Sequence, residues 1–179
     1  MEFYEVIRTR RSIRSYKPDS IPDELVNRVL EAARIAPSGS NRQPWKFIVI
    51  KDTDLKKRIT TACGNQKSLD EAPIIIVACG YNIYSEQNKF YNRGGYMKDF
   101  SMLIDVSIAL THLILAARTE GLGTCWIGLF NNEEVKEILG VPKEVNVVAV
   151  TPLGYPKVGK FAEPGPRKNL KEILSVDKF

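Results

Sequence analysis

A single histidine, His112, is all that the chain offers to imidazole chemistry. A Ser-His-Asp hydrolase would have to be built on it, and no serine sits in a GxSxG elbow. Metal ligands are equally scarce. The three cysteines, Cys63, Cys79 and Cys125, lie far apart with no CxxC pair, and no carboxylate cluster stands at ligand spacing. The same odd, scattered count argues against the disulfide framework of a small secreted protein. Long apolar runs are missing too, since the longest purely apolar stretch, Ile74–Cys79, is far too short to cross a bilayer. No apolar signal-peptide core follows the opening MEFYEVIRTRR, so a soluble, cytoplasmic protein without a membrane partner is expected. No strand leads into GxGxxG, and no repeat or linker composition divides the chain.

What is present suits a globular core. Of the 179 residues, 44% are hydrophobic and 26% charged, close to the ordinary globular balance, so one domain over 1–179 is expected. The net charge of +5 fits three partners: nucleic acid, an anionic membrane surface, or a phosphate-bearing cofactor. The placement of the basic residues decides between them.

Along the chain, Phe3, Val6 and Ile7 have helical spacing, and RRSIRSY (10–16) before Pro18 reads as extended. Pro22, Asp23 and Glu24 open a helix that buries Leu25, Val29, Leu30 and Ala33 and stops at Pro37. PSGSNRQP (37–44) has loop composition, and WKFIVI (45–50) is a strand. Asp52 or Thr53 caps a helix through Ala62, with Gly64 past its end. APIIIVACG (72–80) has the continuous apolarity of a strand covered on both faces. Residues 82–98, polar and aromatic, read as an insertion or lid. A helix from Asp99 to Glu120, apolar nearly all round, is expected to be buried on several sides, one of them a partner subunit. TCWIGLF (124–130) reads as a strand end and loop. Asn131 or Asn132 caps a short helix that ends at Gly140. VNVVAVT (145–151) is a strand, PLGYP (152–156) a turn, and LKEIL a short closing segment.

Two segments carry chemistry. In an extended RRSIR, Arg10, Ser12 and Arg14 share one face while Arg11 and Ile13 take the other. Two guanidinium forks flanking a hydroxyl suit a phosphate, although on its own the segment reads more readily as a solvated basic stretch. In PSGSNRQPW, Ser38 and Gly39 let backbone approach a flat ring, and the amides of Asn41 and Gln43 can read its polar edge. Taken alone, that too is only a loop.

RRSIRSY, APSGSNRQPW, GLGTCWIG, PLGYP and the basic pair in PRKNLKEIL, in that order over nearly the whole chain, resemble the nitroreductase family. The resemblance implies an α+β fold in three layers, with a mixed, mostly antiparallel central sheet flanked by helices, in an intertwined homodimer with two flavins at its interface. It also implies an FMN-dependent oxidoreductase passing hydride from NAD(P)H, a transient donor, through flavin N5 to a small-molecule acceptor such as a nitroaromatic or quinone by a ping-pong mechanism. No protein side chain is then a catalyst, because the cofactor carries the hydride chemistry. The phosphate would be held by Arg10, Arg11 and Ser12 with Arg14 in support, joined by Arg167 and Lys168 from the tail. Pro37, Ser38, Gly39, Asn41 and Gln43 would approach the flavin from the other subunit, and Asn65 would meet the pyrimidine edge. Trp126, Ile127, Gly128, Leu153 and Gly154 would lie along the ring. The chain departs from the family pattern at Asn169, where many relatives have a proline, and over 82–98, which leaves the acceptor open.

Plainer readings remain for several residues. His112 reads as a packed residue, Cys125 as a small buried thiol, Trp45 as core, and Tyr91 and Tyr96 equally as substrate gate or surface aromatics. The rival functions are an enone reductase or other dehydrogenase of the same fold, an FMN-binding protein without turnover, and a nucleic-acid module. The last is ranked lowest because a phosphate explains the early arginines and no aromatic stripe interleaves them.

Overall fold

The computed structural model describes residues 1–81, 96–157 and 165–179, with backbone alone for 96–99. The insertion read at 82–98, with its gating tyrosines, thus lies outside the described residues apart from the helical backbone of 96–98.

Strand β2 (Ile74–Tyr81) organises the molecule. Its successive side chains point to opposite faces, and both faces are covered. Ile74, Ile76 and Ala78 enter one apolar cluster, while Ile75, Val77 and Cys79 enter another. Each fully buried isoleucine here contributes about 1.5–3 kcal/mol relative to exposure. β1 (Trp45–Ile50) and β4 (Val145–Gly154) flank β2 antiparallel, and the two-residue β3 (Gly123–Thr124) completes the order β1-β2-β4-β3. A register shift at Ala78/Cys79 lets Val147 and Val150, three apart, both enter the second cluster. All four strands pair antiparallel, and the extended segment after α1 (Phe3–Thr9) adds one isolated parallel bridge beyond β3, Ser12 beside Thr124.

Helices α2 (Asp23–Arg34) and α5 (Tyr96–Thr119) cover the first face; α3 (Thr53–Ala62) and α6 (Asn132–Leu139) cover the second. The result is the expected three-layer α+β arrangement. The caps are those the sequence indicates: Asp52 accepts the Leu55 N–H, Asn131 accepts the Glu134 N–H, and Gly140 closes α6 at φ 63°. On α2 the buried face is Val26, Val29 and Ala33, with Leu25 and Leu30 only partly buried, because the helix sits rotated toward α5. Helix α4 (Lys67–Glu71) has no counterpart in the sequence reading.

PLGYP is not a turn. β4 runs on through Pro152 to Gly154, with Pro152 opposite Ile75. Val150 donates its N–H to Ile127, away from β2, so two residues later the nitrogen of Pro152 faces that same outer side. It lies between the Ile127 bridge and β3, where the sheet needs no donor. Helix α5 uses one side for the core, through Val106, Ala109, Leu110, Leu113 and Ala117. Its span Phe100–Thr119 is long and apolar enough to cross a membrane, but half of it is buried inside the protein. Its other side, with Phe3 of α1, forms an open apolar groove of about 730 Å³ lined by Phe100, Ile104, Ile108, His112 and Leu115.

Candidate active site

The structure brings three of the motifs together at one corner of the sheet. Ile13 donates its N–H to the Thr124 carbonyl at 2.8 Å, so RRSIR lies against TCWIG. Thr124 in turn pairs with Leu153, and Gly123 with Gly154, so PLG lies on the far side of β3. Close packing makes this possible: a Cβ on Gly154 would stand 2.7 Å from Pro73 Cδ and 2.8 Å from Tyr16 Cδ1. The alternation expected of the extended segment is present, with Ser12 and Arg14 exposed and Ile13 and Ser15 half-buried. Arg10, half-buried, caps α1.

Arg11 takes the inner side. Its Nη1 donates to the carbonyls of Arg8 at 2.7 Å and Arg10 at 2.5 Å, and its Nε is buried with no partner among the described residues. An orphaned guanidinium N–H beside an exposed serine and an exposed arginine is a donor set suited to an anion. Asn65, exposed at φ 56°, sits in the turn after α3. Its neighbour Gln66 donates Nε2 to Leu129 O at 3.3 Å, tying that turn to the 126–130 loop. In that loop Trp126 and Gly128 are exposed, whereas Ile127 is buried with its N–H given to Val150 at 3.0 Å. Leu153 is wholly buried and Gly154 is buried in the strand, so neither Leu153 nor Ile127 presents a side chain at the surface.

The PSGSNRQP loop lies elsewhere. It leads into β1 at Trp45, opposite Gly80, while the arginine segment lies beyond β3 at the Ile74 end. These are diagonally opposite corners, roughly 20 Å apart along the strands and roughly 19 Å across them by ordinary sheet spacings. Pro37, Gly39, Asn41 and Gln43 are exposed. Ser38 turns its hydroxyl inward to accept the Gln43 N–H at 2.9 Å, and Gln43 Nε2 reaches Asn41 O and Oδ1, both at 3.1 Å. Ser40, Asn41 and Gln43 all have φ between 52° and 54°, a left-handed conformation costing side-chain-bearing residues about 1–2 kcal/mol each. Arg167 and Lys168 are exposed on the tail, Arg167 donating to Gly165 O at 3.4 Å and Pro166 O at 3.3 Å.

Two acids absent from the sequence reading hold these pieces. Glu71 Oε2 accepts the Ser15 hydroxyl at 2.9 Å and the Tyr16 N–H at 3.0 Å. Asp105, nearly buried in α5, accepts the Gly39 N–H at 3.0 Å. A lone charge inside an apolar helix was a legible signal for Asp105; nothing in KSLDEAP marked Glu71. The Tyr16 N–H first, then the Ser15 hydroxyl, hold the Glu71 carboxylate below its usual range. Its contribution to stability is complete above the unfolded value, about pH 4.3, and is lost as pH falls through the lower folded value. In thermal melts across pH 3–7, Glu71→Gln is therefore expected to be less stable than wild type near neutrality, with the gap closing in acid.

Two buried thiols and a buried tyrosine are inert. Burial pushes the Cys63 thiol up to about 12, with Glu134 adding to the effect, and burial pushes Cys79 up to about 11, so both stay protonated at neutral pH. Burial, and then Cys125, raise Tyr16 far above its ordinary value while its hydroxyl donates to Ile13 O at 2.6 Å. Cys125 is buried, as its packing reading requires, and His112 lines the apolar groove. No group of three metal-ligating side chains occurs among the described residues.

An FMN phosphate and ring would fit this donor set, and the likeness to known proteins agrees with the fold. Residues 7–66 and 60–155 match the family model described as Nitroreductase family. The chain belongs to the nitroreductase family, a family of oxidoreductases. It is 38% identical over 177 residues to an Archaeoglobus fulgidus protein provisionally named NADH dehydrogenase/NAD(P)H nitroreductase, covering 96% of each chain. A crystal structure of a nitroreductase family protein from Clostridium novyi NT superimposes with a TM-score of 0.78 at 36% identity, covering 100% of this chain and 95% of that one. Iodotyrosine deiodinase 1 of Rattus norvegicus is 29% identical over 200 residues, covering 97% of this chain and 68% of that protein.

Proposed function

We propose that residues 1–179 form a single FMN-binding unit that works as a homodimeric NAD(P)H oxidoreductase. The observation that carries this reading is the corner where Ser12, Thr124 and Leu153 stand side by side with the buried, unpartnered Nε of Arg11. Arg10, Ser12 and Arg14 would hold the phosphate on the outer side of the segment, Arg11 would add its Nε from within, and Arg167 and Lys168 would complete the clamp. Asn65 would read the pyrimidine edge. Because the Ile127 N–H is taken by Val150, backbone donors to the ring would come from Trp126 and Gly128.

FMN, when bound, supplies the hydride chemistry between NAD(P)H and an acceptor in two half-reactions. The chain's own part is to neutralise the phosphate, aim N–H dipoles at the ring, and leave one face open for donor and acceptor in turn. The diagonal separation of Ser38–Gln43 from the arginine segment supports the dimer, since that loop can join a second subunit's flavin more readily than its own. The apolar groove on α5 supports it as well, because an exposed face of this kind in a small protein is a natural subunit contact.

Steady-state assays of the FMN-loaded protein with NADH or NADPH test the reading. A nitroaromatic and a quinone are expected to be reduced. An enone and 3-iodotyrosine belong in the same screen, the latter because of the deiodinase relative, and one acceptor turning over far faster than the others would name a specialised reductase. Tight FMN binding with no acceptor reduced by either nucleotide would instead leave a flavin carrier.

A further inference from the structure

Between Phe100 and Ala117, helix α5 carries one charged residue, Asp105. It is only 7% exposed, on a helix whose neighbouring Met102 and Val106 pack closely against Gly80 in the core. A carboxylate in such surroundings is costly to desolvate, and leucine would sit there at ease. What Asp105 does is accept the Gly39 N–H at 3.0 Å, a charge-assisted bond from helix to loop. Gly39 opens the short 3-10 turn Gly39–Asn41, immediately ahead of the left-handed run Ser40, Asn41 and Gln43. The bonds from Gln43 N–H to Ser38 and from Gln43 Nε2 to Asn41 are internal, closing the loop on itself without fixing it to the molecule. The Asp105–Gly39 bond is of the other kind: it spans 66 residues of sequence and ties this strained loop to the helix layer.

We infer that Asp105 is a positioning residue that holds the Ser38–Gln43 loop, through the Gly39 N–H, in the shape in which it meets the flavin. The inference rests on the flavin assignment above. It also places the anchor on the helix that forms the apolar groove, so subunit contact and loop position share one rigid element.

Apoprotein carrying Asp105→Leu, which keeps the helix apolar and folded, and Asp105→Asn, which keeps an acceptor oxygen for the same N–H, tests this. Amide hydrogen exchange of residues 38–43 is read without FMN, and FMN affinity is then read by quenching of flavin fluorescence. Asp105→Leu is expected to speed exchange of the loop amides and weaken FMN binding, each about tenfold, the effect of losing one charge-assisted bond. Asp105→Asn is expected to restore both to within about threefold of wild type. Unchanged loop exchange in Asp105→Leu would overturn the tether. Faster exchange with unchanged FMN affinity would overturn the positioning role. A wild-type apoprotein that takes up no FMN would overturn the flavin reading itself, and the FMN-free exchange data keep that failure distinct from the first.

Discussion

Changing Arg10 and Arg14 together to alanine is expected to raise the FMN dissociation constant by about two orders of magnitude or more, with the fold intact. Each guanidinium would give the phosphate a charge-assisted bond worth about 1.5–3 kcal/mol, so losing two removes about 3–6 kcal/mol of binding. Stability should hardly move. Arg14 is exposed and Arg10 half-buried, and the segment is pinned by backbone and by Glu71, not by these side chains. Flavin fluorescence titration of the apoprotein, beside a thermal melt, reads the two effects separately. Arg11→Ala should differ in kind, because Arg11 also ties the carbonyls of Arg8 and Arg10 and its loss loosens the segment as well as removing a donor.

Gly123→Val is expected to abolish FMN retention although Gly123 is not assigned to touch the cofactor. A Cβ at this position would lie 2.7 Å from Ile13 Cγ1 and 2.8 Å from Ile13 Cβ, closer than carbon atoms pack. β3 is held by Leu153 and Gly154 on its other side, so the segment carrying Ile13 must give way. Moving Ile13 breaks its N–H bond to Thr124 and carries Ser12 and Arg14 off the corner. Overpacking of this kind costs about 1–3 kcal/mol, so the melting temperature should fall by a few degrees while FMN affinity falls much further. A variant that melts lower but binds FMN as well as wild type would show that the segment's position against β3 is unimportant.

Both predictions depend on contacts whose participants the sequence marks unequally. The alternation in RRSIR was legible because an extended chain sends neighbouring side chains opposite ways, and Ser12 and Arg14 indeed share an exposed face. β2 was legible because a run such as IIIVAC has nowhere to go but between two layers. PLGYP misled because proline and glycine usually punctuate. Only the order of the strands reveals that Pro152 faces a side where its missing N–H is not needed. Glu71 stayed hidden because its partners, Ser15 and Tyr16, are 56 and 55 residues away in sequence. Val26, not Leu25 or Leu30, is buried in α2, since helical spacing fixes a stripe but not the rotation at which α5 receives it.

The most direct test is the visible absorption spectrum of the purified protein, recorded anaerobically before and after addition of NADH and then NADPH. A flavin spectrum that bleaches rapidly with one of the nucleotides is the predicted result. A colourless protein that also fails to take up added FMN would contradict the account.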